Sequence, residues 1–103
     1  MAMGNAISGI VEEQPQGREW FRRGLLGNAI EALLGNNAML GREILNDFIC
    51  ATLGFAPLAR RTGIPLKTLR QMFGPGGNPS AAKLFAIIAC LQAHEGVRLR
   101  VVV

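Results

Sequence analysis

Apolar residues recur along most of this chain at three- and four-residue spacing, and glycine and proline cut the pattern into helix-sized pieces. A first helix is expected from Glu19 to about Leu34, with Trp20, Phe21, Leu25, Ile30 and Leu33 as its apolar contacts. Gly24 and Gly27 weaken it, which leaves one helix or two short pieces open. Gly35, Asn36 and Asn37 form a stop. A stronger stripe follows. Leu40, Ile44, Leu45, Phe48, Ile49 and Leu53 fall on one helical face and Arg42, Glu43, Asn46 and Asp47 on the other, with Gly54 ending the run.

Pro57 fits the first position of a short helix reaching Arg61, because its missing N–H has no partner to lose there. Thr62-Gly63 stops that helix, and another is expected from Pro65 to Phe73. Gly74-Pro75-Gly76-Gly77-Asn78-Pro79 is a loop that no helix crosses. Ser80 can cap a last helix from Ala81 to about Ala93, with Leu84, Ile87, Ile88 and Leu91 inward and Gly96 closing it. Beyond it, Val97, Leu99 and Val101 alternate with Arg98 and Arg100, which predicts a short β-strand over residues 97–102. A lone strand needs a partner for its backbone groups: the N-terminal arm, the same segment of a second copy, or another protein. Residues 1–17 are expected to be a flexible arm, from which Ile7, Ile10 and Val11 are able to dock, and residues 18–103 a single domain. The expected fold class is all-α, a compact helical bundle with a short C-terminal strand.

Composition agrees with a folded chain, since half of the 103 residues are hydrophobic and only 17% are charged. The net charge of +4 says little until its placement is considered. No acidic residue lies between Asp47 and Glu95, while Arg60, Arg61, Lys67, Arg70 and Lys83 all do. A one-signed stretch inside a folded region makes a positive face that attracts a polyanion. Cys50 and Cys90 sit among apolar neighbours without metal-site spacing and are expected to be buried free thiols. No secretory signal pattern is evident, and the longest apolar run, near Leu84 to Leu91, is far too short for a bilayer. A cytoplasmic protein without cofactor or metal is expected.

The segment Phe55 to Phe73 carries the candidate chemistry. Ala59 is small enough for a second helix to cross close above it, and Gly63 can take the positive φ that a tight inter-helix turn requires. Ile64 then plugs the core, and Leu69, Met72 and Phe73 form the inward face of the second helix. Two helices joined at a wide angle by a glycine turn make a helix-turn-helix unit. Its outward face comprises Pro65, Leu66, Lys67, Thr68, Arg70 and Gln71. Such a helix enters the major groove of DNA, where Arg70 or Lys67 suits guanine and Gln71 suits adenine. Arg60, Arg61, Lys83 and Asn78 suit phosphates, which position the protein without reading sequence.

The stretch PLARRTGIPLKTLRQMF, the GGNPS loop, the apolar helix after it and the ending EGVRLRV resemble the antidote (antitoxin) proteins of bacterial addiction modules, within the Xre/Cro-type DNA-binding class. The upstream AIEALLGNN also looks like the helix end that precedes this domain, so the likeness covers about residues 29–102. It implies a lambda repressor-like domain that dimerises on an operator, represses its own operon and binds a cognate toxin. A bacterial cytoplasmic location, on the nucleoid when DNA is bound, goes with that. Two departures are visible: Pro65 stands where the family usually has a serine cap, and Phe55 and Ala56 where many such domains place polar phosphate contacts.

Those departures, with apolar Leu66 on the reading face, keep a second class open: a toxin-binding or dimerisation module that no longer binds DNA. A general or phage regulator of the same fold is a third. An enzyme is not expected. His94 is the sole histidine, at a helix end beside Glu95, and no serine has a base nearby. GPGGNPSAAK lacks the closing GK[ST] of a phosphate loop and follows a helix rather than a strand.

Overall fold

Where each helix stops is decided by short polar and glycine segments whose backbone groups close the turns. The computed structural model describes residues 15–102, with side chains from Phe21 to Val102. Five helices result: α1 (Pro15–Leu34), α2 (Ala38–Ala51), α3 (Phe55–Thr62), α4 (Leu66–Phe73) and α5 (Ala81–Glu95). α1 is one unbroken helix, so packing overrides the weakness of Gly24 and Gly27. It begins at Pro15, which takes residues 15–17 out of the expected arm. Residues 1–14, with Ile7, Ile10 and Val11, lie outside the described residues, as does the side chain of Trp20.

Asn36 takes a φ of 62° after α1, and the Asn37 side chain accepts a hydrogen bond from the Leu40 N–H at 3.3 Å, capping α2. α2 ends at Ala51, earlier than expected, and Gly54 serves both neighbours. Its N–H donates to the Ile49 carbonyl at 2.7 Å, and its carbonyl accepts from Leu58 as α3 begins. Pro57 is therefore the third residue of α3 rather than the first. The substitution is harmless, because every N–H of a first helical turn lacks an intrahelical acceptor.

The core gathers one face from every helix: Leu26 and Ala29 of α1, Leu45, Phe48 and Ile49 of α2, Leu58 of α3, Leu69 and Met72 of α4, and Ile87, Ile88 and Leu91 of α5. Ile64 joins it from the turn between α3 and α4. Each fully buried aliphatic or phenyl side chain stabilises the fold by about 1.5–3 kcal/mol. α1 packs along α2, α3 meets α4 and α5, and α4 touches α2. Two expected contacts fail: Phe21 is 57% exposed and Leu40 43% exposed. The buried stripes run through Leu26 and Ala29 and through Gly41 and Leu45 instead, which turns Phe21 and Leu40 towards solvent. Cys50 is exposed on α2 and Cys90 half-buried, so the expected burial of both thiols does not hold.

No strand forms among the described residues, and the expected strand over 97–102 is a correction. Alternation is present, but the segment finds side chains and helix ends rather than a ladder. The Val97 N–H donates to the Gln92 carbonyl at 3.0 Å and the Leu99 N–H to the Gln92 side-chain oxygen at 2.6 Å. Val97 and Leu99 pack against the core while Arg98 and Arg100 face solvent. Residues 99–102 and the end of α1 then border a groove of about 470 Å³.

Glu95 ties the last helix to the first. Its side chain is 3% exposed and lies 3.3 Å from Arg22 Nε, with the Arg22 side chain 34% exposed, and its backbone carbonyl accepts from Arg23. A buried carboxylate is tolerable only with such a partner. Arg22→Ala is expected to lower stability by about 2 kcal/mol, because it strands the charge. Adding Glu95→Gln to that variant should restore part of the loss in urea unfolding. Equal stability of the single and double variants would show that the pair is not coupled.

Candidate nucleic-acid interface

Two eight-residue helices and a three-residue turn build the site. Gly63 ends α3 with φ 77°, and its N–H donates to the Ala59 carbonyl at 2.9 Å. An added Cβ would have open space around it, so the left-handed backbone alone is what calls for glycine. Thr62, which sequence reasoning treats only as a stop, holds the turn from inside. Its hydroxyl donates to the Leu58 carbonyl at 2.8 Å and accepts from the Ile64 N–H at 3.3 Å. Ile64 is then buried between the helices, and Pro65, extended at ψ 142°, becomes the N-cap of α4 rather than its first residue. The Pro65 carbonyl accepts the first helical bond, from Leu69 at 3.0 Å, and no side chain caps the remaining N–H groups.

α4 divides cleanly. Leu69 and Met72 are buried and Phe73 half-buried, while Lys67, Arg70 and Gln71 are exposed and Leu66 and Thr68 lie between. Phe73 meets Phe55 with ring centroids 5.8 Å apart at 54°, which fastens the start of α3 to the end of α4. Phe55 thus stands as a packing residue at a position where the resemblance would place a polar one.

The outward face of α4 is one wall of an open groove of about 1050 Å³. Leu66, Lys67, Thr68, Arg70 and Gln71 line it from α4, and Gly74 to Ser80 with Lys83 close the other side. Seven of the ten residues singled out from sequence therefore share one concavity: Leu66, Lys67, Thr68, Arg70, Gln71, Asn78 and Lys83. Pro65, Arg60 and Arg61 are exposed but outside it. Arg61 instead lies 3.4 Å from His94 Nδ1, on the surface where α3 meets α5. No Asp or Glu lines the groove beside Lys67, Arg70 and Lys83.

The far wall is held by residues that sequence reasoning did not single out for it. Arg42, assigned only to the polar face of α2, donates to the Gly77 carbonyl at 2.6 Å and to the Met72 carbonyl at 3.5 Å. Those acceptors lie thirty and thirty-five residues further on, and no local pattern points to them. Gly77 runs so close to the end of α4 that a Cβ there would overlap the Gln71 and Met72 carbonyl oxygens. Ser80 caps α5 as expected, accepting from the Lys83 N–H at 3.2 Å, and so directs Lys83 from the first turn of α5.

No group of three or more His, Cys, Asp or Glu side chains is arranged to hold a metal, and no helix is long and apolar enough to cross a membrane, among the described residues. Gly63→Ala is expected to cost about 1–2 kcal/mol in thermal unfolding and Gly63→Asn distinctly less, since asparagine tolerates the left-handed region. Arg42→Ala should speed amide hydrogen exchange at Gly74 and Gly77, the hydrogen-bonded amides of the loop, while global stability falls by only about 1 kcal/mol. Unchanged exchange there would mean that the loop holds its shape without the guanidinium.

Compared with protein-family models, curated proteins and solved structures, the chain matches none.

Proposed function

We propose that this protein is a sequence-specific DNA-binding repressor in which α3, the Gly63 turn and α4 form a helix-turn-helix. The observation that carries this is the groove wall. Lys67, Thr68, Arg70 and Gln71 stand together on one exposed or half-exposed face, with Lys83 opposite, and no carboxylate among the described residues lies against them. Four hydrogen-bond donors on one short helix suit base edges in a major groove. The 1050 Å³ concavity gives a sugar–phosphate strand room beside that helix, where Lys83, Asn78 and the N-terminus of α5 favour an anion. Arg60 and Arg61, at the end of α3, extend the positive surface beyond it.

Within that class the protein is best read as the antitoxin of a type II toxin-antitoxin module, acting as a homodimer and repressing its own operon. The support is the resemblance over residues 29–102, with its PLARRTGIPLKTLRQMF and GGNPS segments. A second reading, a toxin-binding or dimerisation module without DNA binding, is favoured by half-buried Leu66 on the reading face and by the absence of a side-chain cap on α4.

Fluorescence anisotropy with duplexes from immediately upstream of the gene separates the two. A repressor should bind one such duplex at least a thousandfold more tightly than a scrambled one at physiological salt. Arg70→Ala should then cost about 1–3 kcal/mol and relax base preference, whereas Arg60→Ala should weaken all duplexes alike and flatten the salt dependence by about one unit of slope. Equal, weak binding to every duplex would favour the interaction module.

A further inference from the structure

Residues 97–102 run beside α1 and leave one side of their backbone open. Glu95 meets Arg22 and Arg23 in the first half of α1. Leu99 to Val102 then border a groove of about 470 Å³ with the stretch from Gly27 to Leu34, so the tail travels in the same direction as α1. The Val97 and Leu99 N–H groups are taken by Gln92, whereas those of Arg98, Arg100 and Val102 donate to nothing among the described residues. An extended segment turns alternate residues the same way, so these three form an unpaired edge. Ile30 and Leu34 of α1 and Leu99, Val101 and Val102 of the tail make the groove largely apolar. Leu34 is 68% exposed and Val101 73% exposed. Contiguous apolar surface of this kind marks a place where something docks.

Residues 1–14, ahead of α1, match this place in length, pattern and charge. A helix rises about 1.5 Å per residue, which puts Ile30 about 22 Å from Pro15 and Leu34 about 29 Å. An extended chain covers about 3.4 Å per residue, so Ile7 is able to reach about 27 Å from Pro15 and Met3 about 40 Å. Met3, Ile7 and Val11 share one face of an extended chain. A chain returning along α1 from Pro15 runs opposite to the tail, which is the antiparallel sense. In that sense Glu12 and Glu13 come nearest Arg98, and Ile7 comes alongside Ile30.

We propose that residues 3–12 lie along this groove, antiparallel to residues 98–102, with Ile7 seated between Ile30, Leu34 and Val101. Their carbonyls accept from the open N–H groups of Arg98, Arg100 and Val102. Glu12 and Glu13 oppose the exposed Arg98 and Arg100, and opposite charges across such a pair stabilise it. Because the segment is tethered to α1, it meets the groove at a high effective concentration that a separate peptide lacks. This strap rests on α1 and the tail alone, and it stands whether or not the α4 groove binds DNA.

Solution NMR of the full chain tests this. Nuclear Overhauser contacts are expected from the Ile7 methyl groups to Leu34 and Val101. Amide exchange at Arg100 and Val102 should be at least about tenfold slower than in an open chain. Both signals should persist through about a tenfold dilution, because the contact lies within one chain. Removing residues 2–11 should keep the helical spectrum and return that exchange to the open-chain rate. Ile7→Asp, which keeps the whole backbone, should weaken the protection in the same way. Absence of the Ile7 contacts in the full chain overturns the proposal, as does protection unchanged in either variant. Protection lost on dilution overturns it too, and would assign the edge to a second molecule.

Discussion

A left-handed residue at Gly63 is the constraint on which the rest of the site depends. With that φ, α3 stops at Thr62 and the next two residues carry the chain to a new helix. Ile64 can then be buried while Pro65, one residue on, faces solvent. The core side of α4 is fixed by Leu69 and Met72, and the solvent side follows without further instruction. A right-handed residue at this point would favour continuing α3, and the donors of α4 would be spread around a rod instead of gathered on a wall.

Much of this was legible in the residues because glycine and proline act locally. The turn at Gly63, the cap at Ser80, the stop at Asn36-Asn37 and the inward side chains of α4 and α5 all depend on neighbours within about four positions. Pro57 and Pro65 show the limit of that local logic. Proline is acceptable at any N–H that lacks a helical acceptor, so it marks a helix start only to within a residue or two. The tail shows a related limit. Alternating Val97, Arg98, Leu99 and Arg100 correctly report which side chains face the core, but alternation is silent on what the backbone bonds to. Here Gln92 supplies acceptors that a neighbouring strand would otherwise provide.

Contacts distant in sequence were the least visible. Arg22 and Glu95 are polar residues on two ordinary-looking helices, and their pairing exists only because α1 and α5 meet. Phe21 and Leu40 satisfied a helical period and still face water, since a stripe can shift by one position once real packing chooses its centre. Of the candidate site, the members contributed by α4 were found from spacing. The loop wall is signalled only by composition, and the role of Arg42, its anchor, has no local signal, because its acceptors lie 30 and 35 residues away.

The bond from Arg42 to the Gly77 carbonyl gives the groove an unexpected control point. Its far wall is gripped from α2, a helix that contributes no lining residue to the groove. A change at position 42 would therefore reach the far wall without altering any side chain that lines the groove. Substitution there gives a protein engineer a handle on the shape of the concavity that leaves its lining chemically untouched.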